Sequence, residues 1–423
     1  MNKYRRDKAV PCPIAMPCPN RFVNSKNLLN LAKKSEEMPT VFHFVRRYLH
    51  YTATFIGNQI SNHKNYHSVL FYKEHIPNPA FTFANIFNID DSKKIRSVFH
   101  KLIYKISRHI TRSQVNYILK RIDEEKPNIL HFHYGTDAGM FYKILKKARV
   151  PKVVSFYGWD YSYFPKRYFG IGKKYLQKRV FEHADLILAM SMNMKKALIS
   201  LGARGEKIKI HYHGLDTSLF NIERDYAEKD EVNIYLLSSL EPKKGHLFLL
   251  KALKRSIEKT SKPLKLHFTG KFGKFSSINN SIKKLGLEKN VIWHAPYQYG
   301  SERHLKMLSK ADFFVHPSIT DKKGNKEGIP GTLLEAMSSG LAVISTYHAG
   351  IPEIITDGQT GFLVKEWDIE ALSEKIILLA DNHKLRKEVG LRAKEYAVAN
   401  LDIHKKQKEL EGIYESLVLS PES

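Results

Sequence analysis

From Val41 onward, short and nearly unbroken apolar runs alternate with stretches in which apolar residues return every three or four positions. The runs Val41–Val45, Ile129–Phe132, Val153–Phe156, Leu186–Ala189 and Ile208–His211 are rich in β-branched and aromatic residues and do not alternate with polar ones. A strand covered by helices on both faces reads this way, so these runs predict a parallel sheet. The stretches between them predict helices. In the longest, 92–122, Ile95, Val98, Leu102, Ile103, Ile106 and Ile110 fall at helical spacing. A polar segment, Asp216–Glu231, then interrupts the pattern and reads as an interdomain linker. A second series follows, with strands at Val232–Leu237, Leu264–Thr269, Val291–His294, Phe313–His316 and Ala342–Ser345. Helices are expected around Lys244–Ser256, Ser276–Leu285, Ser301–Leu308 and Gly331–Ser339, and charged helices close the chain from Ile369 to Leu417. The fold class is therefore α/β, with two doubly wound sheets in tandem and a cleft at the carboxyl ends of their strands. The divisions are a basic, Pro-rich tail at 1–38, a first domain at 39–220, a second at 221–400, and a closing helix and tail at 401–423.

Composition narrows the function. The 423 residues are 43% hydrophobic, enough for two cores. The only cysteines, Cys12 and Cys18, match no common metal or redox spacing, which points to a reducing compartment. The first twenty residues lack the apolar stretch of a secretory leader, and no apolar run reaches membrane-spanning length. The net charge of +27 is unevenly spread: residues 1–220 carry +23 and residues 221–423 carry +4. Such asymmetry calls for an anionic partner for the first half, whether lipid headgroup, phosphorylated substrate or nucleic acid.

The most informative stretch runs from His316-Pro-Ser-Ile-Thr to Glu327-Gly-Ile-Pro-Gly-Thr-Leu-Leu-Glu335. A strand ends at Pro317, and Gly328, Pro330 and Gly331 form a tight turn that opens a helix near Thr332. Glycines let a ligand approach the backbone, and the helix N-terminus suits a diphosphate. Glu327 and Glu335 flank that turn. One is able to face a sugar ring where positive charge develops, and the other to accept hydrogen bonds from a ribose diol.

The Glu327–Glu335 pair, with seven residues between, resembles the paired-glutamate motif of family 4 glycosyltransferases. Gly340-Leu-Ala-Val-Ile-Ser-Thr and Ala349-Gly-Ile-Pro-Glu through Phe362-Leu-Val364 are similar to the rest of that signature. The wording is closest to the colanic-acid and amylovoran type of exopolysaccharide enzyme. Further matches are His211-Tyr-His-Gly, Phe132-His-Tyr-Gly135 and Thr52-Ala-Thr-Phe-Ile56, and the whole resemblance covers roughly residues 40–400. It implies the GT-B fold, with two Rossmann-like domains facing across a cleft and C-terminal helices packing back. It implies transfer of a hexose-type sugar from a nucleotide-diphosphate sugar with retention of anomeric configuration, in exopolysaccharide, capsule or lipopolysaccharide biosynthesis.

Residue by residue, the resemblance implies that Glu335 holds the donor ribose and Glu327 lies beside the donor sugar. Gly328, Ile329, Pro330, Gly331 and Thr332 line sugar and diphosphate. Lys244, in Glu241-Pro-Lys-Lys-Gly245, neutralises the leaving diphosphate. Two positions depart from the family. Ser239 stands where many members carry an arginine, leaving Lys243 as the substitute, and a point charge does not reproduce a bidentate guanidinium. Tyr157 stands where many carry a histidine, in Phe156-Tyr-Gly-Trp-Asp160. Asp160, counted with Glu327 and Lys244 among the catalytic candidates, is assigned mainly to positioning, with general-base work as the alternative. Thr52, Thr54, His133, Tyr157 and Asp160 form the expected acceptor side, and aromatic core packing competes for Tyr157 and Trp159.

His131 and His133 share one face of a strand, but no carboxylate or thiol cluster adjoins them in the sequence, so packing or acceptor contact is favoured over metal ligation. No Asp-x-Asp pair is present, and catalysis is expected to need neither metal nor cofactor. Lys93, Lys94, Arg96, Lys101, Lys105, Arg108 and Arg112 fall on the long 92–122 helix. Lys173, Lys174, Lys178 and Arg179 fall on another, beside Tyr163, Phe164, Tyr168 and Phe169. Basic residues with an aromatic fringe suit an anionic membrane surface. The expectation is a cytoplasmic protein, peripheral at the inner face of the membrane, acting on a glycan or polyprenyl-diphosphate-linked oligosaccharide. Competing readings are a basic membrane- or nucleic-acid-binding protein on a scaffold that has lost donor chemistry, and a dinucleotide oxidoreductase. The chain has no nucleic-acid-binding motif and no Gly-x-Gly-x-x-Gly after its first strand, so no nucleic-acid partner is expected.

Overall fold

The computed structural model describes residues 38–48, 54–74, 85–90, 109–269 and 275–419. Two all-parallel sheets organise it. The first has seven strands: β1 (Thr40–Arg47), β2 (His67–Glu74), β3 (Ile86–Asn88), β4 (Ile129–His133), β5 (Lys152–Ser155), β6 (Leu186–Ala189) and β7 (Ile208–Ile210), in the order β3-β2-β1-β4-β5-β6-β7. The second has six: β8 (Val232–Leu237), β9 (Leu264–Thr269), β10 (Val291–His294), β11 (Phe313–Val315), β12 (Ala342–Thr346) and β13 (Phe362–Val364), in the order β10-β9-β8-β11-β12-β13. Strand order reverses between β1 and β4 in one sheet and between β8 and β11 in the other. Ligands of doubly wound folds bind outside the carboxyl ends of the strands at such switch points.

The central strands β4, β6 and β12 are buried along their whole length, as their unbroken apolar composition requires. Strands β2, β3 and β13 were not expected. β2 carries its apolar run, Val69–Tyr72, between half-buried polar ends; β3 and β13 are three-residue edge strands, too short for a periodic signal. The long helix expected over 92–122 is corrected. Its described part is Arg112–Glu125, and Thr111 caps it: the Thr111 side chain accepts from Gln114 N–H while the Gln114 side chain accepts from Thr111 N–H. That capping box starts a new helix and separates Arg112 from the basic residues upstream. Lys93, Lys94, Arg96, Lys101, Lys105 and Arg108 lie outside the described residues, as do Cys12, Cys18 and Thr52.

The C-terminal helix Ile403–Leu419 returns to the first sheet. Leu410 and Tyr414 are fully buried against Val41, Ile129, Val153, Leu186 and Leu188. Glu411 anchors it by accepting from the Lys64 and Asn65 amides and the Asn65 side chain. The segment between the sheets is tied to the second one by Arg224, which donates to the carbonyls of Leu308, Ala311 and Ser339 at the ends of two helices. Opposite, Glu353 accepts from the Met192 and Asn193 amides at the start of the Met192–Ser200 helix and from the Tyr212 hydroxyl. A carboxylate from beyond β12 thus caps a helix of the first sheet and holds the two halves together.

Candidate active site

Loops after β8 and β11 bring the expected donor residues together. After β8, Pro242–Lys244 makes one tight turn and ends at Gly245, whose φ is +74°. A Cβ there would meet the Pro317 carbonyl oxygen at 1.8 Å, so only glycine lets this turn lie against the end of β11. The turn aims two ammonium groups at one carboxylate: Lys244 Nζ lies 2.8 Å and Lys243 Nζ 3.5 Å from Glu327 Oε1. Burial opposes ionisation of Glu327, but the two lysines overcome it and hold the carboxyl far below its usual range. Burial likewise opposes the Lys243 charge, and Glu327 with Glu241 raises its pKa regardless. Neutral imidazoles surround the group, since burial and then Lys244 push His246 and His316 down to about 3. Ser239 only reaches towards Glu241, at 3.4 Å, and supplies no cation. Lys243 is therefore the second positive charge of the site.

The other side of Glu327 is held by its own backbone. Its amide donates to His348 Nε2 at 3.0 Å, so His348 carries its proton on Nδ1 and donates to Glu366 Oε1 at 2.6 Å. Glu366 also accepts from the Thr320 amide. His348 and Glu366 were not expected from the sequence, because they come from separate segments with no local spacing to mark them. Pro330 precedes the Gly331–Ser338 helix, and no side chain caps its first turn. Uncapped amides at a helix N-terminus form an anion site. Ile329 is buried, and Glu335 lies inside the helix, 3.3 Å from His304 Nε2.

The first sheet meets this loop directly. Lys326 N–H donates to Ser162 Oγ at 3.0 Å, and the Tyr161 hydroxyl donates to the Glu327 carbonyl at 3.3 Å. A Cβ on Gly328 would fall 2.2 Å from the Tyr157 carbonyl oxygen, which explains the glycine. Asp160 is fully buried and accepts from the amides of Gly135, Tyr157 and Gly158. That geometry supports positioning: Asp160 shapes the backbone of the loops after β4 and β5, on which the acceptor side was expected. Tyr157 binds His133 Nδ1 through its hydroxyl at 2.7 Å, and burial raises its pKa well above its usual value. Thr54 opens the Thr54–Ser61 helix, whose next residue, Phe55, stacks on His213 and meets the Tyr157 ring at a tilt.

His43, His131 and His133 offer ligand atoms within 4.8 Å of one another, all buried. His131 bonds Tyr414 and Ser155, and His133 bonds His43 Nδ1 and Tyr157, while the buried His43 Nε2 has no hydrogen-bond partner among the described residues. Burial pushes His133 down to about 3, keeping it neutral. The aromatic fringe is also corrected. Phe164 is buried against Trp159 and Tyr175, Arg179 lies over the Tyr142 and Tyr175 rings, and Lys178 pairs with Glu182. The side chain of Tyr168 lies outside the described residues. Phe169 stands wholly exposed and Ile171 is 61% exposed, and Lys166, Lys173 and Lys174, close to them in sequence, are exposed as well.

Two family descriptions match in tandem. The family described as Glycosyltransferase Family 4 matches residues 63–219, and that described as Glycosyl transferases group 1 matches residues 220–396. The chain belongs to the family 4 glycosyltransferases. Among its relatives, the amylovoran biosynthesis glycosyltransferase AmsK of Erwinia amylovora is 28% identical over 68% of this chain and 70% of its own length. The N-acetylgalactosamine-N,N'-diacetylbacillosaminyl-diphospho-undecaprenol 4-alpha-N-acetylgalactosaminyltransferase of Campylobacter jejuni is 28% identical over 56% of this chain and 62% of its own. The crystal structure of Anabaena Alr3699/HepE in complex with UDP superimposes with a TM-score of 0.68, covering 90% of this chain and all of that one at 16% identity. The glycosyltransferase thus has the expected GT-B fold, with the Lys243–Glu327–Lys244 cluster at the carboxyl ends of β8 and β11. Replacing Gly245 by alanine is expected to destabilise it by about 2 kcal/mol or more, because left-handed backbone and close packing both penalise a Cβ. Urea unfolding monitored by fluorescence checks this.

Proposed function

We propose that this glycosyltransferase moves a hexose-type sugar from a nucleotide-diphosphate sugar to a glycan carried on a polyprenyl diphosphate, with retention and without a metal, during exopolysaccharide, capsule or lipopolysaccharide assembly. The observation that carries this reading is the pair of lysines converging on Glu327 beside the uncapped turn of the Gly331–Ser338 helix. A departing nucleoside diphosphate gains negative charge as its bond to the sugar breaks, and two fixed ammonium groups with helix amides stabilise that charge. The lysines thereby supply the cationic assistance that other phosphate chemistries take from a metal. Glu327, ionised and released from Lys244 by the incoming phosphates, stabilises positive charge on the sugar ring. Glu335 accepts from the ribose hydroxyls. The acceptor hydroxyl attacks from the face the diphosphate leaves and passes its proton to the departing phosphate oxygen. His133, Tyr157 and Thr54 form the acceptor wall, and Asp160 holds the two loops that carry them.

The UDP in HepE supports a nucleotide donor, and the name AmsK supports polysaccharide assembly. The Campylobacter enzyme, named for a diphospho-undecaprenol substrate, supports the lipid-linked acceptor. No helix among the described residues is long and apolar enough to cross a membrane. The exposed Phe169 and Ile171, with exposed Lys166, Lys173 and Lys174 close to them in sequence, fit peripheral attachment to anionic lipid at the cytoplasmic face, each basic contact contributing about 1 kcal/mol.

Calorimetric titration with uridine, guanosine and adenosine diphosphate sugars should give one binder whose affinity is greatly weakened, yet still measurable, in Glu335→Ala. A wild-type protein that binds none of them contradicts the donor reading. In flotation at low salt, vesicles containing phosphatidylglycerol should carry the protein and purely zwitterionic vesicles should not, with Phe169→Glu weakening the association. No flotation on anionic vesicles removes the membrane assignment.

A further inference from the structure

His304 is absent from every motif that marks the site, yet it meets Glu335. It lies in the first turn of the Glu302–Lys310 helix, where Ser301 Oγ accepts its backbone N–H. Its ring is fully buried, stacked on Tyr297 at 4.1 Å and met edge-on by Phe220 at 5.5 Å. Three features fix what it does. The Gly300 amide points at Nδ1 at 3.2 Å, and an amide N–H only donates, so Nδ1 holds a lone pair and the ring proton sits on Nε2. Nε2 faces Glu335 Oε2 at 3.3 Å. Among the described residues, neither of those two buried atoms has a hydrogen-bond partner. A small rotation of the Glu335 side chain brings the N–H into line with the carboxylate, making a charge-assisted bond in a site shielded from water.

We propose that His304 is a positioning residue for the donor nucleotide: its Nε2–H holds Oε2 of Glu335 and thereby presents Oε1 to the ribose diol. This rests on the donor-site reading of Glu335. The pair also reaches across the cleft. Tyr299 lies against the same ring at 6.2 Å, and its hydroxyl accepts from Asn58 of the first sheet's Thr54–Ser61 helix at 3.1 Å. The wall that orients Glu335 therefore includes the opposite half of the molecule.

The test compares His304→Phe, which keeps the ring but not the donor, with His304→Gln, which keeps a donor. Both are measured alone and in a Glu335→Ala background. The readouts are nucleoside diphosphate affinity by calorimetry, donor and acceptor KM, kcat and Tm. His304→Phe should weaken nucleotide affinity and raise donor KM by about 10- to 100-fold, with acceptor KM unchanged. His304→Gln should recover most of that loss, and neither change should matter once Glu335 is alanine. The inference is overturned if His304→Phe binds like the wild type. It is equally overturned if both variants lose affinity in proportion to a lowered Tm, which is the mark of packing alone. A wild type that binds no nucleoside diphosphate removes the donor reading and this inference together. Wild-type binding that is greatly weakened in Glu335→Ala but kept in His304→Phe removes this inference only.

Discussion

A single buried carboxylate between two ammonium groups organises this molecule. Glu327 is charged because Lys243 and Lys244 are close, and the lysines stay close because Gly245 fits the turn under the Pro317 carbonyl. Removing any partner from such a cluster strands a buried charge, so the cluster constrains the loops of both β8 and β11. On the proposed donor reading, it also gives the resting protein an internal substitute for its ligand. The carboxylate neutralises the charges that a diphosphate would otherwise meet, and an arriving diphosphate must compete with it. Binding and release of Glu327 are then one event, freeing the carboxylate as the anion takes its place.

Around that cluster, the two halves are joined by polar contacts at the site itself. Ser162 and Tyr161 grip the backbone of Lys326 and Glu327, and Asn58 meets Tyr299. Asp160 binds three amides and thereby shapes the two loops that face the second sheet. Buried neutral imidazoles continue inward from Tyr157: Tyr157 bonds His133, His133 bonds His43, and His131, whose ring lies 4.2 Å from that of His133, bonds Tyr414 of the returning C-terminal helix. These hydrogen bonds and ring contacts together tie the geometry around Tyr157 to the docking of a helix that begins far away in sequence.

Much of this was legible in the sequence, and the exceptions have physical causes. Leu186–Ala189 was bounded correctly because a strand covered on both faces must be apolar throughout, and Val232–Leu237 and Leu264–Thr269 were legible from their buried apolar residues despite Asn233, Lys265 and His267. β3 and β13 escaped because three residues carry no period. The break before Arg112 was available in the text as Thr111-Arg-Ser-Gln114, a capping box hidden inside an otherwise continuous helical rhythm. The spacing of Glu327 and Glu335 was legible because one turn and one helix hold both. His304, His348 and Glu366 were not, since each reaches the glutamates from a distant segment, and a lone histidine has no sequence context that separates packing from positioning. Phe164 failed in the opposite sense: its neighbours look like a surface fringe, but Trp159 and Tyr175 enclose it.

The central claim is that Glu327 serves the reacting sugar while the lysines serve the diphosphate. It is tested most directly by measuring nucleoside diphosphate affinity and turnover in Glu327→Gln. Amide for carboxylate removes the internal competitor without removing either ammonium group. The account therefore predicts affinity equal to or tighter than wild type, with turnover lower by at least about 100-fold. A variant that binds the nucleotide more weakly and turns over normally at saturation would contradict it.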